Sequence, residues 1–259
     1  MKEKITIVKV GGAIVEDEVQ LAQLLKDFCA IEGRKVLVHG GGRRATQVAA
    51  DLGIESKMVN GRRITDADML SVVTMVYGGL VNKNLVAKLQ ANGVNALGLT
   101  GADMNIIRSH KRPIKDGIDF GFVGDVEQAD GKMLGKLIEE GVTSVMAPLT
   151  HDGMGNILNT NADTMASSLA RALARTYAVR LVYCFEKDGV LADPDDEGSV
   201  IPLITPGTYR QLLGRQAVAG GMIPKLDNAF AALADGVSEV IIKHARNLSN
   251  DKGTVLREQ

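Results

Sequence analysis

The sequence predicts an α/β protein built on a mostly parallel sheet. Three observations carry that reading. Residues 5–10 (ITIVKV) are apolar and β-branched, close on Gly11-Gly12, and give way to Leu21, Leu24, Leu25 and Phe28 at i, i+3, i+4 and i+7, the spacing of a helix with one buried face. Residues 36–38 repeat the pattern, closing on His39-Gly40-Gly41-Gly42 before a helix that starts at Arg43. Residues 179–185 form a third strongly apolar strand late in the chain. Strands alternate with helices through glycine turns, as in βαβ units.

The remaining elements follow in order. Asn60-Gly61-Arg62-Arg63-Ile64-Thr65 reads as a turn and short strand, and Thr65 with Asp68 three residues on resembles a capping box. Met69, Val72, Val73 and Val76 stripe the next helix, which runs to Ala91 with a bend near Gly78-Gly79; the stripe is either core or a dimer face. Residues 96–99 and 105–107 are short strands, 111–127 a hairpin or flap, 134–140 a helix and 144–148 a buried strand. Residues 157–170 (ILNTNADTMASSLA) read as a strand end, a polar turn and a helix start, with Asn161 as cap and Asp163 in the first turn. Residues 205–213 are a short helix. Pro224 opens another, carried on by Leu226, Phe230 and Leu233 and closed by Gly236. Residues 240–243 are the last strand. A lobe boundary falls at 150–156, dividing the chain into 1–155 and 156–259.

Composition excludes several function classes. Aromatics are 3% of the 259 residues and Trp is absent, so stacking platforms for nucleic acid are not expected. Thirty basic residues against 31 acidic give a net charge of −1, so an anion site must be local. Cys29 and Cys184 lie far apart in apolar runs and read as reduced thiols of a cytoplasmic protein, with no metal-ligand spacing. No signal peptide is seen and no apolar run reaches membrane length.

The chemistry concentrates at strand ends. Gly11-Gly12 and Gly40-Gly41-Gly42 let backbone N–H groups approach a ligand, at the edge where parallel sheets bind ligands. A tight turn is the plain alternative, and neither loop matches the dinucleotide or P-loop pattern. Lys9 sits inside an apolar strand, where burial without a partner is costly; an exposed strand edge is the alternative. Lys225 stands at a helix start, against the dipole, which points to a nearby anion. Arg63 is a candidate clamp for a carboxylate, and Arg62 a solvated neighbour.

The ordered set KVGG (9–12), HGGG (39–42), NGRRIT (60–65), NTNAD (159–163) and GGMIPK (220–225) resembles N-acetylglutamate kinases of the amino acid kinase family, over nearly the whole chain. The resemblance implies a three-layer α/β/α sandwich in two lobes. Residues 1–155 would hold the acyl-glutamate and the dimer interface, and 156–259 the ATP. The implied reaction is phosphorylation of the γ-carboxylate of N-acetyl-L-glutamate by ATP, with Mg2+ bound through the nucleotide phosphates and no metal held by the protein. It implies that Lys9 and Lys225 stabilise the transferring phosphoryl group and that Asp163 holds them. It places Gly11, Gly12, Gly41 and Gly42 on phosphate and substrate oxygens, and Arg63 and Asn159 on the glutamate carboxylate. Glu186, Lys187, Asp188, Gly189, Val190 and Leu191, with Ala217, Val218 and Ala219, match the adenine and ribose positions, although Phe185-Glu186-Lys187-Asp188 departs from the family's usual Thr/Ser-Asp-Val.

A carboxylate nucleophile, with a pKa of about 4.3, is ionised at about pH 7 and needs no general base, which fits the lack of a His or Cys nucleophile; His39 reads as a structural strand-end residue. Arg108, His110, Lys111, Arg112 and Lys115 form a basic run that reads as a solvated flap; if some face the acyl pocket, a succinyl group is the alternative. Rival readings are a carbamate, aspartate or uridylate kinase, and an inactive nucleotide-binding regulator, which the three charged residues together disfavour. Partners expected are the two small-molecule substrates, neither nucleic acid nor membrane, and a second copy of the chain. Only Met1-Lys2-Glu3 precede the first strand, so the resemblance implies a homodimer insensitive to arginine, without the N-terminal helix that joins dimers into hexamers.

Overall fold

The computed structural model describes residues 2–59, 61–193, 195–215, 217–218 and 222–258. Ala219, Gly220 and Gly221 of the expected nucleotide loops, and Asn60, lie outside the described residues.

The chain opens with β1 (Lys4–Val10), α1 (Gly12–Glu16), α2 (Glu18–Ala30), β2 (Arg34–His39) and α3 (Gly42–Asp51). A small hairpin, β3 (Met58–Val59) and β4 (Arg62–Arg63), leads to α4 (Ala67–Val73), a π-helical segment (Thr74–Val81) and α5 (Asn82–Ala91), which form one continuous helical rod. Then come β5 (Ala96–Leu99), β6 (Ile107–Lys111), β7 (Gly124–Ala129), α6 (Gly131–Glu139), β8 (Thr143–Met146), β9 (Leu149–His151), β10 (Ile157–Asn159) and α7 (Ala162–Ala174). The chain closes with β11 (Ala178–Phe185), β12 (Leu203–Ile204), α8 (Pro206–Gly214), α9 (Met222–Ala234), β13 (Glu239–His244) and β14 (Thr254–Leu256).

Eight strands form the central sheet in the order β12-β14-β13-β11-β1-β2-β8-β5, parallel except where β13 meets β14. Strands covered on both faces become continuous apolar runs, and β1, in the middle, is such a run. Alternation sends Ile5 and Ile7 into one core with Leu169 and Leu173 of α7, and Val8 and Val10 into the other with Leu24 and Phe28 of α2. Helices thus cover both faces, giving three layers. The same alternation puts Lys9 on the face of Ile5 and Ile7, beneath the start of α7. Lys9 is buried on a central strand, which removes the exposed-edge alternative.

A second sheet, β10-β9-β6-β7, lies apart from the first. The proposed boundary at 150–156 is the turn of its β9–β10 hairpin, with Gly153 and Gly155 at positive φ. The expected strand at 105–107 is displaced: Met104 and Asn105 adopt left-handed φ values of 53° and 54° in a 3-10 turn, so the strand starts only at Ile107. The 111–127 stretch is the expected hairpin, closing between β6 and β7.

Two readings of the long rod change. Asp66, rather than Thr65, caps α4, accepting from the Met69 N–H at 2.9 Å. Met69, Val72, Val73 and Val76 are all buried within the single chain, so that stripe is core. One 18-residue window of the rod, Ala67–Ala91, reaches a mean hydropathy of 1.2, enough by length and composition for a membrane span, although no uninterrupted apolar run in it is that long. Here its apolar stripe is spent on the core of this fold.

Candidate active site

Four sequence segments converge at the carboxyl ends of β1 and β2. Gly11 follows β1 directly, and its N–H donates to Cys184 O at 3.1 Å. The Gly40 N–H donates to Val10 O at 3.0 Å, drawing the second glycine loop against the first. A Cβ on Gly40 would lie 2.9 Å from Gly12 N, closer than real side chains come, so close approach of the two loops requires glycine there. Gly42 begins α3, whose unpaired N–H groups face the same opening.

At the centre is a three-membered charge cluster. Asn161 caps α7 through the N–H groups of Asp163 and Thr164, which sets Asp163 in the first turn over Lys9. One Asp163 oxygen lies 2.7 Å from Lys9 Nζ and the other 2.5 Å from Lys225 Nζ, in the first turns of α9. Burial pushes the Asp163 carboxyl up, but the two ammonium groups outweigh it and bring its pKa down to about 2. The carboxylate is ionised and both its oxygens are engaged. The pair of cations is held by one counter-charge, which leaves one net positive charge to meet an anion.

Two cavities lie on either side of Gly42, and the two lysines line the first of them. One, of about 350 Å³, is lined by Lys9, Gly11, Gly12, Gly42, Arg43, Glu186 and Lys225, a set of cations and backbone donors suited to phosphate oxygens. The other, of about 220 Å³, is lined by Gly41, Gly42, Arg63, Asn159 and Thr160. Gly42 borders both. Arg63 is buried and its guanidinium bonds to Gly42 O at 2.8 Å, Thr46 Oγ1 at 2.8 Å and Ser56 Oγ. Those bonds fix the plane of its fork against the second glycine loop. Asn159 ends β10 and is also buried.

The remaining candidates disperse. The Lys187 ammonium is exposed and pairs with Glu197 at 2.7 Å. Asp188 receives Arg246 and Asn247, and so braces the turn after β13. Gly189 packs against Thr254 and Val200, and Leu191 forms a bridge with Val200. Val190 and Val218 are buried in the core. Ala217 donates its N–H to Leu212 O at 3.0 Å. Among the described residues of that group, only Glu186 reaches the phosphate-type cavity, where it pairs with Arg43 at 3.2 Å.

His39 is wholly buried. Burial lowers its pKa to about 4, against a bond to Gly40 O at 2.7 Å that raises it, so the ring is neutral near pH 7. Its Nδ1–H donates to Gly40 O and its Nε2 accepts from Asn82 Nδ2 at 3.1 Å, a structural role as expected.

The structure adds lining residues that the sequence reading did not single out. Tyr77, which stood unremarked in the helical stripe, lies against Gly41, and a Cβ on that glycine would come 3.0 Å from its ring. Arg112 was signalled only as one member of a basic run. It lines the second cavity together with exposed Arg62, held by Asp125 at 2.5 Å. Most of the rest of that run pairs outward, Arg108 and His110 with Glu127 and Lys111 with Asp119. Among the described residues, no group of three His, Cys, Asp or Glu side chains is placed to hold a metal ion.

A three-layer sheet with paired glycine loops, and two lysines shared by one aspartate, defines a class of proteins built to bind a phosphorylated ligand beside a second, smaller one. The chain belongs to the amino acid kinase family, whose model matches residues 4–244. It is 64% identical over 258 residues to an acetylglutamate kinase of Phocaeicola vulgatus, covering 100% of both chains. It is 63% identical to the acetylglutamate kinase of Bacteroides thetaiotaomicron, again over 100% of both. Among solved structures it resembles smu.665 of Streptococcus mutans, with a TM-score of 0.80 and 28% identity over 98% of this chain and 99% of that one.

Proposed function

We propose that the chain is an ATP-dependent N-acetyl-L-glutamate kinase, forming N-acetyl-L-glutamyl 5-phosphate in arginine (ornithine) synthesis. The observation that carries this reading is the Lys9–Asp163–Lys225 cluster, whose lysines line a glycine-rich cavity that shares Gly42 with an Arg63/Asn159-lined one. The likeness to acetylglutamate kinases along the full chain supports the substrate.

In this reading ATP lays its phosphates on the N–H groups of Gly12 and Gly42; Gly11, whose own N–H is taken by Cys184 O, lines the same cavity without donating to it. Arg63 and Asn159 hold the α-carboxylate of the acceptor, which leaves its γ-carboxylate facing the γ-phosphorus. That carboxylate attacks, the bond to the β–γ bridging oxygen breaks, and ADP leaves. Negative charge spreads over the phosphoryl oxygens in the transition state, where Lys9 and Lys225 meet it. Asp163 is the positioning residue that fixes both ammonium groups. Mg2+ bound through the nucleotide phosphates would neutralise part of their charge. No proton is transferred, since the nucleophile is already ionised.

In this reading residues 1–155 bind the acceptor and 156–259 the nucleotide, with Glu186 at the edge of the phosphate-type cavity. We place the enzyme in the cytoplasm as a homodimer. With the Met69–Val76 stripe in the core, the apolar surface for a second copy is Met75 and Leu80 on the same rod, with Leu97 on edge strand β5.

A second reading keeps the reaction and changes the acyl group. Arg62 and Arg112 line the acceptor cavity beside Arg63, which favours an acyl chain ending in a carboxylate, such as N-succinyl-L-glutamate. ADP release measured with N-acetyl-, N-succinyl- and free glutamate tests both. Turnover of neither acyl compound rejects the proposal, and a preference for succinyl selects the second reading.

A further inference from the structure

We infer that Thr65 is a positioning residue for the acceptor site, acting through Asn159; the inference rests on the acyl-glutamate reading above. Thr65 is completely buried, and its Oγ1 accepts a hydrogen bond from Asn159 Nδ2 at 2.9 Å. The two residues are 94 positions apart in the chain. The threonine hydroxyl faces the Arg63 carbonyl at 3.5 Å, so its own hydrogen is directed away from Asn159. The lone pairs are left for the amide. An asparagine amide has a broad, roughly two-fold torsion, and its two ends differ in sign: N–H groups attract a carboxylate and the oxygen repels it. Thr65 selects the orientation in which Nδ2 is anchored. The second N–H of that nitrogen, without a partner among the described residues, remains for the ligand.

The backbone makes Thr65 a fixed reference for this task. Its N–H donates to Phe120 O at 2.9 Å, and its carbonyl accepts from Phe122 N at 2.7 Å. The Asn159 N–H in turn donates to Phe122 O at 2.8 Å. Gly121, between the two phenylalanines, has φ +71°, and any Cβ there would strike the Thr65 carbonyl. The segment 120–122 ahead of β7, the residues after β4, and β10 are therefore locked together at Thr65, whose hydroxyl links this backbone frame to Asn159.

Steady-state kinetics on Thr65→Val and Thr65→Ser test this. Valine keeps the shape and the β-branch and removes the oxygen; serine keeps the oxygen. Thr65→Val should raise KM for N-acetylglutamate about tenfold, the equivalent of ~1.4 kcal/mol, with kcat and KM for ATP within about twofold of wild type. Thr65→Ser should restore KM to within about twofold. A purely structural role would move all three parameters together and would not be rescued by serine. An unchanged KM in an active Thr65→Val overturns the inference while leaving the functional reading intact; a wild type that turns over no acyl-glutamate overturns both. Because Thr65→Val could fail to fold, the wild-type side-chain amide of Asn159, assigned in NMR spectra by its loss in Asn159→Asp, gives a second readout. One of its two protons should exchange slowly with solvent and lose that protection in Thr65→Ala. Equal, rapid exchange of both protons in wild type would overturn the inference.

Discussion

Replacing Asp163 by asparagine keeps the side-chain shape and deletes the one negative charge between Lys9 and Lys225. The carboxylate oxygens lie 2.7 and 2.5 Å from the two ammonium nitrogens, and the side chains of Lys9, Asp163 and Lys225 are 11%, 14% and 25% exposed. Removing one partner of a buried ion pair costs about 3–5 kcal/mol, because the remaining charge is left without compensation. The partial exposure of Lys225 argues for the lower figure, about 3 kcal/mol. At roughly 2–4 °C per kcal/mol for a chain of this size, Tm should fall by about 6–12 °C. Turnover should drop by about two to three orders of magnitude, since neither lysine is then held where transition-state charge develops. An added polyphosphate should raise Tm more in the variant than in the wild type, because the ligand supplies the missing anion. The pH dependence adds an internal check. The Asp163 pKa is depressed from about 3.9 unfolded to about 2 folded, so its stabilisation is complete above roughly pH 5 and disappears as pH falls through about 2, a change of about 3 kcal/mol. Asp163→Asn should lack this limb. Differential scanning calorimetry and a coupled ADP assay read all of these. A variant melting within about 2 °C of wild type, with turnover within about tenfold, would refute the argument.

Three further outcomes follow from the same geometry. Lys225→Ala should lower kcat by roughly 10²–10³, measured as ADP release at saturating substrates, because one preorganised charge contact to the transition state is gone. Arg63→Lys should raise KM for the acyl-glutamate much more than that for ATP, because a lysine cannot reproduce the guanidinium's bonds to Gly42 O, Thr46 and Ser56 that hold its charge at the cavity wall. His39 has a folded pKa near 4 against about 6.5 unfolded, so the unfolded chain takes up the proton first and stability falls as pH drops from about 6.5 to 4. Equilibrium unfolding in urea across that range should show a loss of roughly 3 kcal/mol in wild type that His39→Asn, with an amide donor near the Nδ1 position, does not show.

The sequence alone determined the local structure and much of the chemistry. A buried β-branched run ending in glycines is a strand feeding a turn wherever it is placed, so β1, β2, β11 and the helices after them were legible from periodicity. Lys9 and Lys225 stood out because a cation in an apolar strand or at a helix start needs an anion, and Asn161 with Asp163 read correctly as a cap and a first-turn acid. Tertiary structure decided what joins what. Thr65 has a cap-like sequence context, yet Asp66 makes the cap, and Thr65 meets Asn159, 94 residues away, because the residues after β4, the segment 120–122 and β10 are stitched together by backbone bonds. The Met69–Val76 stripe satisfies the pattern of a core face and of a dimer face equally, and only the layer packed against it separates the two. The basic run 108–115 divides the same way: Arg112 reaches the acceptor cavity while Arg108 and His110 pair with Glu127, an outcome set by the twist and register of β6 against β7. Periodicity reports the conformation of a segment and which of its faces is apolar. The partner of a polar side chain is fixed by contacts between distant segments, which no local pattern encodes.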